Sequence, residues 1–176
     1  ALKRIINYPT RGIGKTTLDK LILTANQNET SIWEIISNID TFNTGIGNGA
    51  KTKIKNFVTM ILSFGSELFR KNAFELGQHI ASQTGLLKEL HDDKTPEGIS
   101  RYENIQELLN GLKQFSAQDE STDQPTRTLD KFMEDVALLT DADNENQDDY
   151  NKVSLMTIHS AKGLEFPYVF IVGMEE

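Results

Sequence analysis

The sequence predicts a mainly α-helical body, residues 1–150, followed by a short β-loop-β piece of a truncated α/β domain, residues 151–176. Three observations predict it. Apolar residues recur at spacings of 3, 4 and 7 through most of the first 139 positions, the pattern of helices with one buried face. The tripeptide Gly-Ile-Gly occurs at 12–14 and again at 45–47, each time just before a helical pattern. After the acidic, Asn-rich run Asp141–Asn151, the chain turns to two short, β-branched, apolar segments, VSLMTI at 153–158 and FPYVFIV at 166–172.

The helices follow in order. Leu18, Leu21, Ile22 and Ala25 share one face of a helix over 15–26. Ser31, with Glu34 three residues on, predicts a capped short helix through Ile39. Ile54, Phe57, Val58, Ile61, Leu62, Leu68 and Phe69 form a broad stripe over 49–70, weakened by Gly65. Residues 72–90 read as one or two helices interrupted near Gly85. Pro96 opens a helix over 97–115 carrying Ile99, Tyr102, Ile105, Leu108, Leu109 and Leu112. Leu129, Phe132, Met133, Val136 and Leu139 mark the last one, over 129–139. Ser116–Thr128 is a loop by composition, and Asp141–Asn151 is a stronger, mobile break. Phe166–Val172 is continuously apolar, as in a strand buried on both faces, so it calls for a larger sheet. That predicts a piece of a larger domain. Trp33, Phe57, Phe64, Phe69 and Phe74 fall at helical spacing and are expected in the core.

At 176 residues the chain fits one domain, or one plus a piece of another, and is too short for a two-domain nucleotide-driven motor. With 38% hydrophobic and 25% charged residues, wholesale disorder is excluded. The absence of cysteine removes disulfides and thiolate zinc sites. His79, His91 and His159 are too scattered to suggest a metal site. No apolar run approaches the ~20 residues that span a membrane, and no basic start leads into an apolar stretch. Neither a membrane partner nor a signal peptide is expected.

The net charge of −8 hides an asymmetry. Residues 1–90 carry 11 Lys+Arg and 7 Asp+Glu, a balance of +4, while residues 91–176 carry 7 and 19, a balance of −12. Phosphate affinity follows local cationic surface, so the first half is the one that can face a polyanion. The acidic pairs Asp92-Asp93, Asp148-Asp149 and Glu175-Glu176 read as solvated faces.

The run Arg11-Gly12-Ile13-Gly14-Lys15-Thr16-Thr17 superficially suggests a nucleotide phosphate loop. That motif requires glycine where Pro9 stands, so the reading fails. The repeat is more informative. A Gly-hydrophobic-Gly turn between two short helices lets backbone approach a ligand, and the following helix offers free N–H groups at its positive end. Lys15, Thr16 and Thr17 after the first turn, and Lys51, Thr52 and Lys53 after the second (Gly45, Ile46, Gly47), add donors and charge. The pattern resembles the helix-hairpin-helix, which grips duplex DNA through its backbone. The second copy is degenerate, with Lys51 where a small apolar residue is usual. The bland alternative is two glycine-closed turns with solvated lysines.

A second candidate is the loop His159-Ser160-Ala161-Lys162-Gly163-Leu164-Glu165 between the two apolar segments. Loops at strand ends are where α/β folds place ligands. His159 and Lys162 suit phosphate or a base, Gly163 permits a special backbone angle, and Glu165 suits a ribose hydroxyl. An ordinary polar connection is the alternative.

The stretch VSLMTIHSAKGLEFPYVFIVGMEE resembles motif V of the UvrD/PcrA/Rep-type superfamily 1 DNA helicases. The opening KRIINYPTRGIGKTTLDKL and the helix RYENIQELL resemble that family's 2B subdomain, so the likeness spans the chain. It implies a helical 2B-type subdomain with helix-hairpin-helix-like turns and the first return into the RecA-like subdomain 2A. It further implies an ATP-dependent 3′–5′ DNA helicase as parent, with ATP and Mg²⁺ as cofactors. Its partners would be duplex and single-stranded DNA and the parent's own 1A, 1B and 2A subdomains. By resemblance, Glu165 and Gly163 belong to the nucleotide side and His159 and Lys162 to the single-strand path, while Arg11 to Thr16, Gly45 to Gly47 and Lys51 face duplex DNA. The family's phosphate-binding loop, magnesium motif and arginine fingers are not in this sequence, so this stretch is expected to be inactive by itself, with no cofactor of its own. A cytoplasmic, nucleoid-associated parent and self-association through an exposed strand edge are further expectations. The rival reading is a regulatory, protein-binding subdomain with little DNA affinity; a free-standing duplex binder is a third.

Overall fold

The computed structural model describes residues 1–117, 127–145, 153, 155–158, 161 and 164–173. Among them it has eight helices: α1 Leu2–Ile5, α2 Lys15–Gln27, α3 Ile32–Ser37, α4 Asn48–Glu67, α5 Ala73–Gln83, α6 Leu86–Asp92, α7 Pro96–Ser116 and α8 Leu129–Glu145. The chain divides into two units, Ala1–Ala137 and Leu138–Glu176. The expected boundary at 150/151 lies outside the described residues.

The helix starts follow local chemistry. Ser31 accepts a hydrogen bond from the Glu34 N–H at 3.1 Å, as the sequence predicts. Asn72 and Glu75 form a full capping box on α5, and Thr95 caps α7 ahead of Pro96. Gly85, at φ +81°, separates α5 from α6, a conformation that L side chains adopt at a cost. Gly65 does not interrupt α4, because its position costs only ~1 kcal/mol of helix propensity against a well-buried stripe.

Within residues 1–137 the core has two parts. The first joins α1 to α4, and its burial repeats at the 33-residue interval of the turns. Ile6 and Ile39, Ile13 and Ile46, Leu21 and Ile54, and Ala25 and Val58 are all buried. So α1–turn–α2 and α3–turn–α4 are two copies of one unit, sharing a core between them. Leu18 and Trp33 pack on this core half-buried, which agrees with reading Trp33 as a packing residue. The second part is built by Ala73, Leu109 and Leu112 with Phe74, Leu87, Ile105, Phe115, Leu129 and Phe132, from α5, α6, α7 and the start of α8. The Phe115 and Phe132 rings meet edge to face, centroids 5.4 Å apart.

Three expectations are corrected. Phe69 is 68% exposed: α4 ends at Glu67, so the helical stripe no longer aims it at the core. Helix α8 runs to Glu145, into the stretch read as a break, since no Pro or Gly stops it there. The β-loop-β piece is not formed: no strand occurs among the described residues of 153–173. Val169 is 66% and its neighbour Phe170 90% exposed, so the segment expected to be buried on both faces is buried on neither. Two short segments give each other no sheet to enter and no second layer to cover them. The local order there is a turn, with Ala161 N–H bonded to the Thr157 carbonyl and Leu164 N–H to that of Ala161, both at 3.0 Å. The loop expected at 116–128 falls mostly outside the described residues.

Candidate nucleic-acid interface

Both Gly-Ile-Gly turns have the same build. The first glycine takes a positive φ, +68° at Gly12 and +60° at Gly45. The isoleucine plugs into the core. The second glycine, Gly14 or Gly47, is the extended N-cap residue of the next helix, α2 or α4. Glycine brings no side-chain acceptor, so the first N–H groups of α2 and α4 stay available at the positive end of each helix. All four glycines are exposed, presenting backbone rather than side chain.

The two turns are stiffened differently. In the first, Asn7 Oδ1 accepts from the N–H groups of Arg11 and Ile13, both at 2.9 Å. In the second, Thr44 Oγ1 accepts from the Ile46 N–H at 3.3 Å. Asp40, the residue 33 positions after Asn7, instead pairs with Lys55 at 2.5 Å and with Lys51 at 4.0 Å. The hydrogen bond from Lys55, together with these nearby cations, holds the Asp40 carboxyl below its ordinary pKa.

The candidate residues therefore separate by availability. Lys15 and Thr16 are exposed in the first turn of α2. Lys51 is half-buried and leans toward Asp40. Arg11 turns inward: it donates to the carbonyls of Ile5 and Pro9 at 3.0 Å and of Thr84 at 3.3 Å, with its guanidinium 5.5 Å from the Phe57 ring centroid. Burial lowers its pKa, partly offset by Glu89. Its geometry is that of a tie between the first turn and the end of α5.

Sequence reading missed Lys20, whose ammonium donates to the Gly45 carbonyl at 2.6 Å. Lys53, noted only as added charge, donates to the Gly12 carbonyl at 3.4 Å. Each lysine follows the second glycine of its own turn by six residues, so the repeat itself carried the signal.

Of the loop residues, His159, Lys162 and Gly163 lie outside the described residues, while Glu165 is exposed. No group of three His, Asp or Glu side chains among the described residues is arranged to hold a metal. No helix among them is long and apolar enough to cross a membrane.

The whole chain, residues 1–176, matches the UvrD-like helicase C-terminal domain. It belongs to that family. It is 36% identical over 176 residues to the ATP-dependent DNA helicase PcrA of Staphylococcus aureus, an alignment covering 100% of this chain and 23% of that protein. Over the same span it is 35% identical to the ATP-dependent DNA helicase PcrA of Staphylococcus epidermidis. The chain thus spans 23% of the length of these curated relatives. Within the UvrD-like C-terminal domain, the paired turns occupy the basic half of the chain.

Proposed function

We propose that this chain is the duplex-gripping part of a 3′–5′ ATP-dependent DNA helicase, contacting the DNA backbone through its two Gly-Ile-Gly turns. The observation that carries this reading is the repetition of one backbone device. Two turns 33 residues apart each expose glycine backbone at an uncapped helix start, on the half of the chain with a balance of +4. Such a device grips phosphate without reading sequence, which suits a machine that must move along any duplex. The relatives, named as ATP-dependent DNA helicases, support the same reading.

In this reading residues 1–150 are the 2B subdomain and residues 151–176 begin the return to 2A. The segments 153–158 and 166–172 become strands only in a sheet that the rest of the parent supplies. Glu165 and Gly163 then face the nucleotide, and His159 and Lys162 the single strand. ATP and Mg²⁺ serve the parent, working in the cytoplasm at the nucleoid; this chain by itself neither hydrolyses ATP nor unwinds DNA. Subdomains 1A, 1B and the remainder of 2A are its partners. Handled alone, its exposed apolar segment favours self-association.

Fluorescence anisotropy with a labelled DNA hairpin carrying a 3′ single-stranded tail tests the proposal. Binding is expected to need the duplex, to fall steeply with salt, and to weaken in Lys15→Glu and Lys51→Glu. Absence of binding at low salt would reject it. The inward geometry of Arg11 and the pairing of Lys51 with Asp40 favour a second reading, a regulatory subdomain that docks protein rather than DNA. That reading expects neither the salt dependence nor the effect of the lysine variants.

A further inference from the structure

The two lysines that sequence reading undervalued are crossed. Lys20 belongs to the helix after the first turn but holds the carbonyl of Gly45, in the second. Lys53 belongs to the helix after the second turn but holds the carbonyl of Gly12, in the first. The pairs are related by the same 33-residue interval as the turns, so the contact is reciprocal. Each bond ends on the glycine whose positive φ shapes the turn. A Cβ placed on Gly12 would run into the Lys53 ammonium, so lysine and turn are in direct contact.

We infer that Lys20 and Lys53 are positioning residues that couple the two turns into one phosphate clamp. Each lysine fixes the turn it does not belong to, and together they set the spacing at which the two helix starts meet the backbone. The inference rests on the duplex reading above. Its physical basis is simple. A charge-assisted bond from ammonium to carbonyl is stronger than a neutral one and restrains the flexible glycine; the Lys20 bond at 2.6 Å is the tight member of the pair and the Lys53 contact at 3.4 Å the longer one. With the Gly12 and Gly45 carbonyls each facing an ammonium, one acceptor per turn is neutralised and a cation is added where a phosphate would approach. Two separate turns would bind as two weak sites, whereas a braced pair binds as one preorganised surface.

The test uses the full chain and the tailed hairpin, with four variants: Lys20→Met, Lys53→Met, the double variant, and Lys3→Met as a lost charge on α1 outside the turns. Lys20→Met and Lys53→Met are each expected to weaken duplex binding about tenfold, and the double variant also about tenfold, because residues acting through one coupling are not additive. Lys3→Met should cost only a small, salt-dependent fraction of affinity. Lys20→Arg, which keeps charge and donors, should restore most of the loss. Amide exchange gives a readout independent of DNA. Lys20→Met should speed exchange at Ala50 and Lys51, whose N–H groups bond to the Gly47 carbonyl, and Lys53→Met at Leu18, bonded to Gly14. Far-UV circular dichroism confirms that the variants stay folded. If wild type binds and the double variant loses about the product of the single losses, or no more than Lys3→Met loses, the coupling is overturned. If wild type fails to bind duplex at low salt, the duplex reading falls and the positioning role with it. Unchanged exchange at the opposite turn removes the brace itself.

Discussion

Gly98, in the first turn of α7, lies against the backbone of Asp93: a Cβ at Gly98 would sit 2.6 Å from the Asp93 carbonyl oxygen and in collision with its carboxyl carbon. The close approach belongs to a tight knot. Asp93 Oδ1 accepts from the Thr95 N–H at 3.1 Å and hydroxyl at 2.7 Å, and Thr95 Oγ1 accepts from the Gly98 N–H at 3.0 Å. The Thr95 hydroxyl chiefly holds the Asp93 carboxyl below its ordinary pKa. Backbone cannot step aside as a side chain can. Gly98→Ala is therefore expected to destabilise residues 1–137 by about 1–3 kcal/mol, despite alanine's better helix propensity. Chemical denaturation followed by circular dichroism measures it, and a stabilised variant would contradict the packing described.

Arg11 separates structure from binding. Its three carbonyl contacts and its position over Phe57 make its loss a folding defect first. Arg11→Met should lower stability by about 1–3 kcal/mol, since a charged donor leaves several acceptors unmatched. An Arg11 that served only DNA would leave the denaturation midpoint unmoved and change the hairpin titration alone.

The two turn glycines differ in what surrounds them. At Gly45 a Cβ finds only the Lys20 ammonium, 3.9 Å away, so Gly45→Ala meets the left-handed backbone penalty alone, about 1–2 kcal/mol. At Gly12 the same penalty comes with displacement of the Lys53 ammonium. Because that ammonium is the free end of a flexible side chain, Gly12→Ala is expected to cost little more than Gly45→Ala in a thermal melt, and a much larger loss would mean that something stiffer than Lys53 stands in the way.

Asp40 provides a pH prediction. Its folded pKa lies below the unfolded one, so the stabilisation is present above the ordinary carboxylate range and fades as pH falls through the folded value. The melting difference between wild type and Asp40→Asn should be constant from about pH 6 to 8 and shrink steadily once pH falls below the ordinary carboxylate range. At neutral pH the same variant releases Lys51 and Lys55, so hairpin affinity should rise a few-fold. Unchanged or weaker binding would place those lysines away from DNA.

Helices were legible wherever an apolar face had a core to meet. Leu21, Ile54, Leu109 and Leu112 are buried as their spacing predicts, and Gly85 marks a true break. The 33-residue recurrence of Gly-Ile-Gly anticipated a duplicated unit, since a buried Ile between two special glycines depends on local chemistry alone. What spacing could not supply was contact between distant parts. The inward turn of Arg11 depends on Thr84, 73 residues away, and the role of Lys20 on a carbonyl 25 residues away. Phe69 misled because periodicity does not announce where a helix stops. The two β-branched segments misled for a related reason: strand propensity describes a surface that fits a sheet, and a sheet has to be there.

Helix α4 starts at the Gly47 turn and, 20 residues on, ends at Glu67. Its last turns meet α5, where the Phe64 ring stands edge-on to His79 at 5.7 Å and Glu67 lies 3.8 Å from the same imidazole. At 1.5 Å per residue this is a stiff rod about 30 Å long. Its Ile54, Phe57, Val58 and Phe64 are buried, so the rod is held along its length, and the second turn and the α5 contact are the two ends of one fixed strut.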